Sequence, residues 1–465
     1  MKVRMIAKIA LSALVALAVS GTLYAEGQQE GGGKGKNASP YPGVSILRDE
    51  KGKVFDLGGM EIIIADWWSP TEVPEPTNAQ EEATAEYRAW IQSTYNFTIK
   101  QVGVTSWGSS PEFFTNFATN GGPENYVYII RQSAIAAPMK NGLFYNLASL
   151  KSINLNDDKW VDTITKLTTV GDKIYGMRAE DPEPKMGLYF NKRMLQEAGI
   201  DPESLYDMQA KGTWTWAEFE KICAKVTRDT NNDGVNDVYA LTSFSKNFFN
   251  TVVASNGGTF IGRDENSKFY NATKSDAFLE AMNWGSNIIR KYELPAPEGA
   301  SWDYAYASFR NGEAAMQVAA VYEAGNIQAM TDDYGFVCFP KGPKMKDYVN
   351  VWDDNVYVIP ACYEPERAEM IAFAYNLYTE PTPGWDGEDD WKIFYENRYR
   401  DSRAIDDSIA RLRQNGVVWY ETLVPAIDTG DIIYQVYGGW ATPAEKIEEV
   451  STKWQPFIDE ANGIK

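Results

Sequence analysis

Not one of the 465 residues is histidine. That removes every Ser-His and Cys-His nucleophile arrangement and every histidine-ligated metal centre at once. No Gly-x-Ser-x-Gly elbow or glycine-rich phosphate loop takes their place. Cysteine is nearly as scarce, with Cys223, Cys338 and Cys362 the whole set. Cys223 falls on an apolar helix face and Cys338 in an apolar strand run. Buried small hydrophobes are therefore the expectation, with a Cys338 to Cys362 bridge the alternative in an oxidising compartment. Cations are outnumbered, 44 Lys and Arg against 64 Asp and Glu, for a net charge of -20. Without a basic patch, nucleic acid is not an expected partner. Beyond the first 25 residues no apolar run of about 20 residues occurs, so no later membrane span is expected.

Lys2, Arg4 and Lys8 precede the apolar run Ile9 to Val19, and Gly21 and Ala25 follow. This is the layout of a secretory signal cut after Ala25, with an uncleaved N-terminal anchor as the alternative. No cysteine stands near it to carry a lipid, so an exported, periplasmic product is expected. Residues 26–44 are a polar, glycine-rich linker. The remainder, with 44% hydrophobic and 13% aromatic residues overall, suffices for two or three cored domains.

The stretch from Tyr189 to Leu241 organises this remainder. An apolar run ends at Asn191, and Met194, Leu195 and Ala198 then recur at helical spacing until Gly199. Thr215 and Glu218 have the spacing of a capping box, with Trp216, Phe219, Ile222 and Cys223 on one face of the helix they open. Asp229, Asn231, Asp233 and Asp237 follow at calcium-loop positions 1, 3, 5 and 9, with the Val235 carbonyl at position 7. Position 12 is Ala240, so structural calcium is one reading and a turn closed by Asx hydrogen bonds the other.

Upstream, strands at Glu61 to Ala65, Phe97 to Val104 and Tyr126 to Ile130 alternate with helices at Asn78 to Thr94 and Pro111 to Ala118. That order implies parallel βαβ units. Ligands of open α/β sheets bind beyond the carboxyl ends of strands, which singles out Asp66, Trp67 and Trp68, and Trp107 after the second strand. A sugar ring needs an aromatic face for its C–H patches and carboxylates or amides for its hydroxyl rim. The chain's 15 tryptophans include Trp302 beside Asp303 and Trp352 beside Asp353 and Asp354, which fit that need.

Several segments in this order resemble the extracellular solute-binding proteins of carbohydrate ABC importers, family 1. They are Tyr189-Phe-Asn191-Lys192, Ala198-Gly199-Ile200-Asp201, Thr213-Trp214-Thr215-Trp216-Ala-Glu218-Phe219, Phe309-Arg-Asn311-Gly312-Glu313-Ala-Ala315-Met316, and Gly438-Gly439-Trp440-Ala-Thr-Pro443-Ala444-Glu445. The resemblance covers roughly residues 45–465. It implies a two-lobed α/β fold of the periplasmic-binding-protein type II, each lobe a sheet flanked by helices, with a hinge and an interlobe cleft. The expected division is 45–178 plus 345–400 for lobe 1 and 179–344 plus 401–465 for lobe 2. The resemblance adds Arg178 and Glu183 at the cleft floor, Asn247 in a second-lobe loop running from Leu241 to Phe249, Tyr322 stacking on a sugar ring, and Trp440 at a cleft-facing helix start. The implied function is capture of a carbohydrate, foremost an oligosaccharide, by a monomer that delivers it to an ABC permease and catalyses nothing. Two other readings stand beside it: a binding protein for a non-sugar solute such as a peptide, and an exported carbohydrate-active enzyme using paired carboxylates.

Overall fold

The structure, a computed structural model, describes residues 38–179, 185–352 and 355–463. Contacts divide the chain into residues 1–47 and 48–465. In the smaller part, the described residues form a turn in which the Val44 amide donates to the Tyr41 carbonyl. Everything below concerns the larger part.

Its first half runs β1 (Met60–Asp66), α1 (Ala79–Tyr95), β2 (Phe97–Gly103), α2 (Ser110–Asn120) and β3 (Asn125–Arg131). Asn78 caps α1 by accepting from the Glu81 amide, and Asn96 closes it at φ 53°, so α1 turns directly into β2. The second half holds β4 (Met186–Asn191), α3 (Lys192–Glu197), α4 (Trp216–Val226), β5 (Tyr239–Ser243), α5 (Ser245–Ser255), α6 (Asp276–Tyr292), α7 (Tyr304–Arg310), β6 (Ala314–Ala320) and β7 (Tyr334–Val337). The chain then returns through β8 (Asn355–Val358) and α8 (Pro365–Tyr378), and ends in α9 (Gly430–Tyr437), α10 (Pro443–Lys453) and α11 (Gln455–Ala461).

Two four-stranded sheets result, ordered β8-β3-β1-β2 and β7-β4-β6-β5. In the first, β1 pairs parallel with β2 and β3, and β8 runs antiparallel to β3. In the second, β6 is parallel to β5 and antiparallel to β4. Each sheet has its own core: Ala65, Phe114, Tyr128, Ile130 and Val356 in the first, and Leu188, Phe190, Phe219, Phe248, Met316 and Phe336 in the second.

The segments that carried the resemblance are mostly framework. Tyr189 is buried and shares a hydrogen bond with Tyr399, while Asn191 caps α3 by accepting from the Met194 amide. Lys192 pairs with Asp401 and Glu203. Gly312 sits at φ 72°, where a Cβ would come within 2.9 Å of the Asp332 carboxylate that Arg193 clamps. Trp214 and Trp216 are buried, the latter stacked 4.2 Å from Trp284.

Two local expectations change, and one alternative falls. Thr215 precedes α4 in extended geometry without a side-chain cap, and Glu218 pairs with Lys221; a capping box forms at Thr442 and Glu445. Leu241 to Phe249 is no loop but the end of β5 and the start of α5. The Cys338 to Cys362 bridge is absent: Cys338 is buried after β7 of the second sheet, Cys362 follows β8 of the first, and all three thiols are free. Among the described residues no helix is long and apolar enough to cross a membrane.

Candidate functional site

At the first sheet's carboxyl edge, β1 ends on Asp66, fully buried. Its Oδ1 accepts the amides of Trp68 and Ser69 at 3.1 and 2.9 Å, and its Oδ2 accepts from the Ser69 hydroxyl and from Gln101 Nε2. The Ser69 carbonyl in turn accepts the Gly103 amide, and Gly103 leaves no room for a Cβ there, which would lie 2.7 Å from that oxygen. Asp66 is thus the organiser of a turn, and it projects Trp67 and Trp68 together, edge to face at 4.9 Å, with Trp68 50% exposed. Trp107 stands after β2, and the Arg131 guanidinium at the end of β3 lies 3.8 Å over its ring. Thr105, Ser106 and Ser109 hydroxyls bond to one another beside it.

In the second sheet, Tyr322 follows β6 and is 50% exposed, with the Lys185 ammonium 5.5 Å from its ring centre. Asn247 donates to the Tyr306 hydroxyl at 3.0 Å, which fixes an aromatic ring that burial drives well above the usual tyrosine range. Trp302 and Trp440 are exposed, on the loop before α7 and on the Gly438–Gly439 turn after α9. Below this edge Ser243, the last residue of β5, donates to Glu293 Oε1 at 2.6 Å, and burial pushes the Glu293 carboxyl up to about 7 although Ser243 and Tyr437 hydrogen bonds oppose the shift.

One passage joins the two edges. Asn350 to Trp352 pairs with Gly416 to Val418, and the Asn350 side-chain oxygen accepts the amides of Lys185 and Met186, both at 3.0 Å. Three residues past Trp352, Asn355 pairs with Arg131. The Trp352 ring lies flat on Gly416, where a Cβ would come within 1.8 Å of it. The Arg178 carbonyl accepts the Val161 amide nearby in sequence to the first sheet's helices. The passage thus ties the strand ends that carry Arg131 to those that carry Lys185 and Tyr322. Glu183, Asp353 and Asp354 lie outside the described residues. Sequence reading missed Arg131, Lys185 and Tyr306, whose roles depend on neighbours brought up from other strands.

Surface grooves are found elsewhere as well. One of about 630 Å³, lined by Arg193, Arg310, Asn326 and Asp332, lies at the end of the second sheet opposite Tyr322. Strand-end aromatics over fixed backbone turns are a more specific signal than that open groove.

The acidic loop closes on itself. Asp229, Asn231 and Asp233 accept amides two residues on, and Asp237 accepts the Thr230 amide and hydroxyl and the Asn231 side-chain amide. Ala240 is buried in β5, so no carboxylate comes from position 12. Among the described residues no group of three or more His, Cys, Asp or Glu is placed to hold a metal. A cation would rest on a mixed set of Asp229, Asn231, Asp233, Asp237 and the Val235 carbonyl.

The family described as bacterial extracellular solute-binding protein matches residues 71–376. No curated protein matches by sequence. Several solved structures share the fold. An ABC substrate-binding protein from Listeria monocytogenes in complex with cycloalternan is 15% identical, with a TM-score of 0.61 over 88% of this chain and 100% of that one. The maltose-maltodextrin binding protein of Alicyclobacillus acidocaldarius is 14% identical, with a TM-score of 0.56 over 85% and 100%. UgpB from Mycobacterium tuberculosis in complex with glycerophosphocholine is 16% identical, with a TM-score of 0.58 over 87% and 99%.

Proposed function

Because the chain belongs to the bacterial extracellular solute-binding proteins, we propose that it captures a carbohydrate, foremost an oligosaccharide, and hands it to an ABC permease. The observation that carries this reading is the set of aromatic faces at the strand ends of both sheets: Trp67, Trp68 and Trp107 on one, and Tyr322 on the other, with Tyr306 of α7 held by Asn247. A sugar ring stacks its C–H face on such side chains and offers its hydroxyls to the groups around them, here Arg131, Lys185 and the Thr105 to Ser109 hydroxyls. Maltodextrin and cycloalternan binding by proteins of this fold supports the same ligand class. Two sheets joined by a narrow passage are suited to closure about that passage, a motion of microseconds to milliseconds that traps the ligand between Trp68, Tyr322 and Trp440.

The protein acts as an exported monomer after signal cleavage, releases its glycan unchanged, and holds a calcium ion at Asp229 to Asp237 as a structural element. A thermal-shift series with maltotetraose, cycloalternan, glycerophosphocholine, uronates and short peptides tests the ligand class. A shift of several degrees confined to glycans, with the glycan recovered intact, is the expected result; a shift with peptides alone would overturn it.

A further inference from the structure

A carboxyl group on the second sheet joins two turns on which the site depends. Glu293 follows α6 and runs beside β5, where the Leu294 amide donates to the Leu241 carbonyl at 2.8 Å. Its Oε1 accepts the Ser243 hydroxyl at 2.6 Å, and the Tyr437 hydroxyl hydrogen-bonds to the same carboxyl. Ser243 ends β5, and Asn247, in the first turn of the α5 helix that follows, holds Tyr306 beside Tyr322. Tyr437 ends α9 and precedes the turn that sets Trp440. That turn is tight: the Trp440 amide donates to the Gln435 carbonyl at 3.0 Å, Gly439 stands at φ 70°, and a Cβ on Gly438 would lie 2.8 Å from the Trp440 ring. One side chain therefore fixes the starting points of both the Asn247–Tyr306 pair and Trp440.

Glu293 is half-buried and lines a groove of about 370 Å³ with Asn236, Tyr239, Arg290 and Lys291, so protons reach it from solvent. The charged groups around it are engaged elsewhere: Arg290 with Asn287 and Lys291 with Glu220 beside α6, Lys246 of α5 with Asp428, and Asp431 of α9 with Lys453. None of them forms an ion pair with Glu293, so only the two hydroxyls offset the desolvation of its anion. We infer that Glu293 is a positioning residue of the glycan site, a carboxyl that locks the turn bearing Asn247 to the turn bearing Trp440. This rests on the carbohydrate reading above, with Trp440 against the ligand. As a neutral acid the group keeps both bonds in a dry junction. Ionised, it is stable there only if water enters, which loosens both turns. A bound glycan presses Trp440 and Tyr322 into place and keeps the junction dry, so the bound form holds the Glu293 proton more tightly than the free form. By linkage, binding takes up a fraction of a proton and weakens as pH rises through about 7.

The test is calorimetry with maltotetraose and cycloalternan from about pH 5.5 to 8.5, in buffers of different ionisation enthalpy, on the parent, Glu293→Gln and Glu293→Ala. The parent is expected to lose about fivefold in affinity across that range and to take up protons on binding near neutral pH. Glu293→Gln keeps partners for both hydroxyls and cannot ionise, so it should bind at every pH as the parent does in acid, without proton uptake. Glu293→Ala should bind about fivefold more weakly at every pH. A Glu293 that serves the fold alone would shift the melting temperature in these variants and leave affinity and proton uptake as in the parent. That result overturns the inference, as does a pH dependence that Glu293→Gln retains. If neither glycan binds the parent, the carbohydrate reading fails by itself, and the lock is read without ligand. In protein labelled with 5-fluorotryptophan, the Trp440 fluorine resonance, identified by its loss in Trp440→Phe, should titrate near pH 7 in the parent and stay fixed in Glu293→Gln. A Trp440 resonance indifferent to pH in the parent overturns the lock.

Discussion

Trp68 and Asp66 are neighbours with opposite burdens. Trp68 is half exposed on a turn that other groups hold, so Trp68→Ala should cost at least tenfold in glycan affinity, about 1.4 kcal/mol, and leave the ligand-free melting temperature nearly unchanged. Tyr322→Ala should behave alike, and calorimetry beside thermal melting separates the two quantities. Asp66→Ala instead strips the acceptor from two amides and Gln101, which should cost about 3 kcal/mol of stability and weaken binding only through the disordered turn. A third residue carries a pH dependence. Glu293 has a folded pKa raised to about 7 from 4.5, so the folded state holds its proton more tightly than the unfolded chain does. Its favourable contribution is complete below pH 4.5 and is lost as pH rises through 7, by at most about 3 kcal/mol. Glu293→Gln should therefore melt above the parent at pH 8 and flatten the decline between pH 5 and 8, as a denaturant series across that range would record.

At the scale of elements, what the sequence made legible was whatever depends on short-range pattern. The start of α1 at Asn78, three of the four strands of the first sheet and the tryptophan pair beyond β1 all follow from spacing along a few residues. The rest depended on competing partners, some local and some far along the chain. Glu218 has the right offset for Thr215 yet is drawn to Lys221, and Leu241 to Phe249 reads as a loop only until β5 finds β6 beside it. Asp66 read as a ligand-facing acid because the residues that occupy its oxygens include Gln101, 35 positions away. Two element-scale outcomes follow. Gly416→Ala would drive a methyl into the Trp352 ring and should destabilise the protein while also weakening glycan binding, because Trp352 must move. If Asp229 to Asp237 holds calcium, chelation should lower the melting temperature by a few degrees without abolishing glycan binding. The loop's own Asx bonds keep it folded, so the effect stays small.

At the scale of the whole molecule, two sheets have separate cores, and among the described residues Asn350 bonds to the start of β4 while Asn355 pairs with the end of β3. In the proposed reading stacking faces come from both sheets, with Arg131 and the Thr105 to Ser109 hydroxyls beside the first and Lys185 beside the second, so no single sheet offers a complete site. That division is the proposed basis for capture by closure, in which the ligand brings the two surfaces together. The most direct test is calorimetric titration of the purified protein with maltotetraose and cycloalternan, repeated on Trp68→Ala and on Tyr322→Ala, one from each sheet. The account predicts a single saturable site in the parent and a loss of at least tenfold in both variants. A glycan that binds the parent but is insensitive to one of the two substitutions would contradict capture between the sheets.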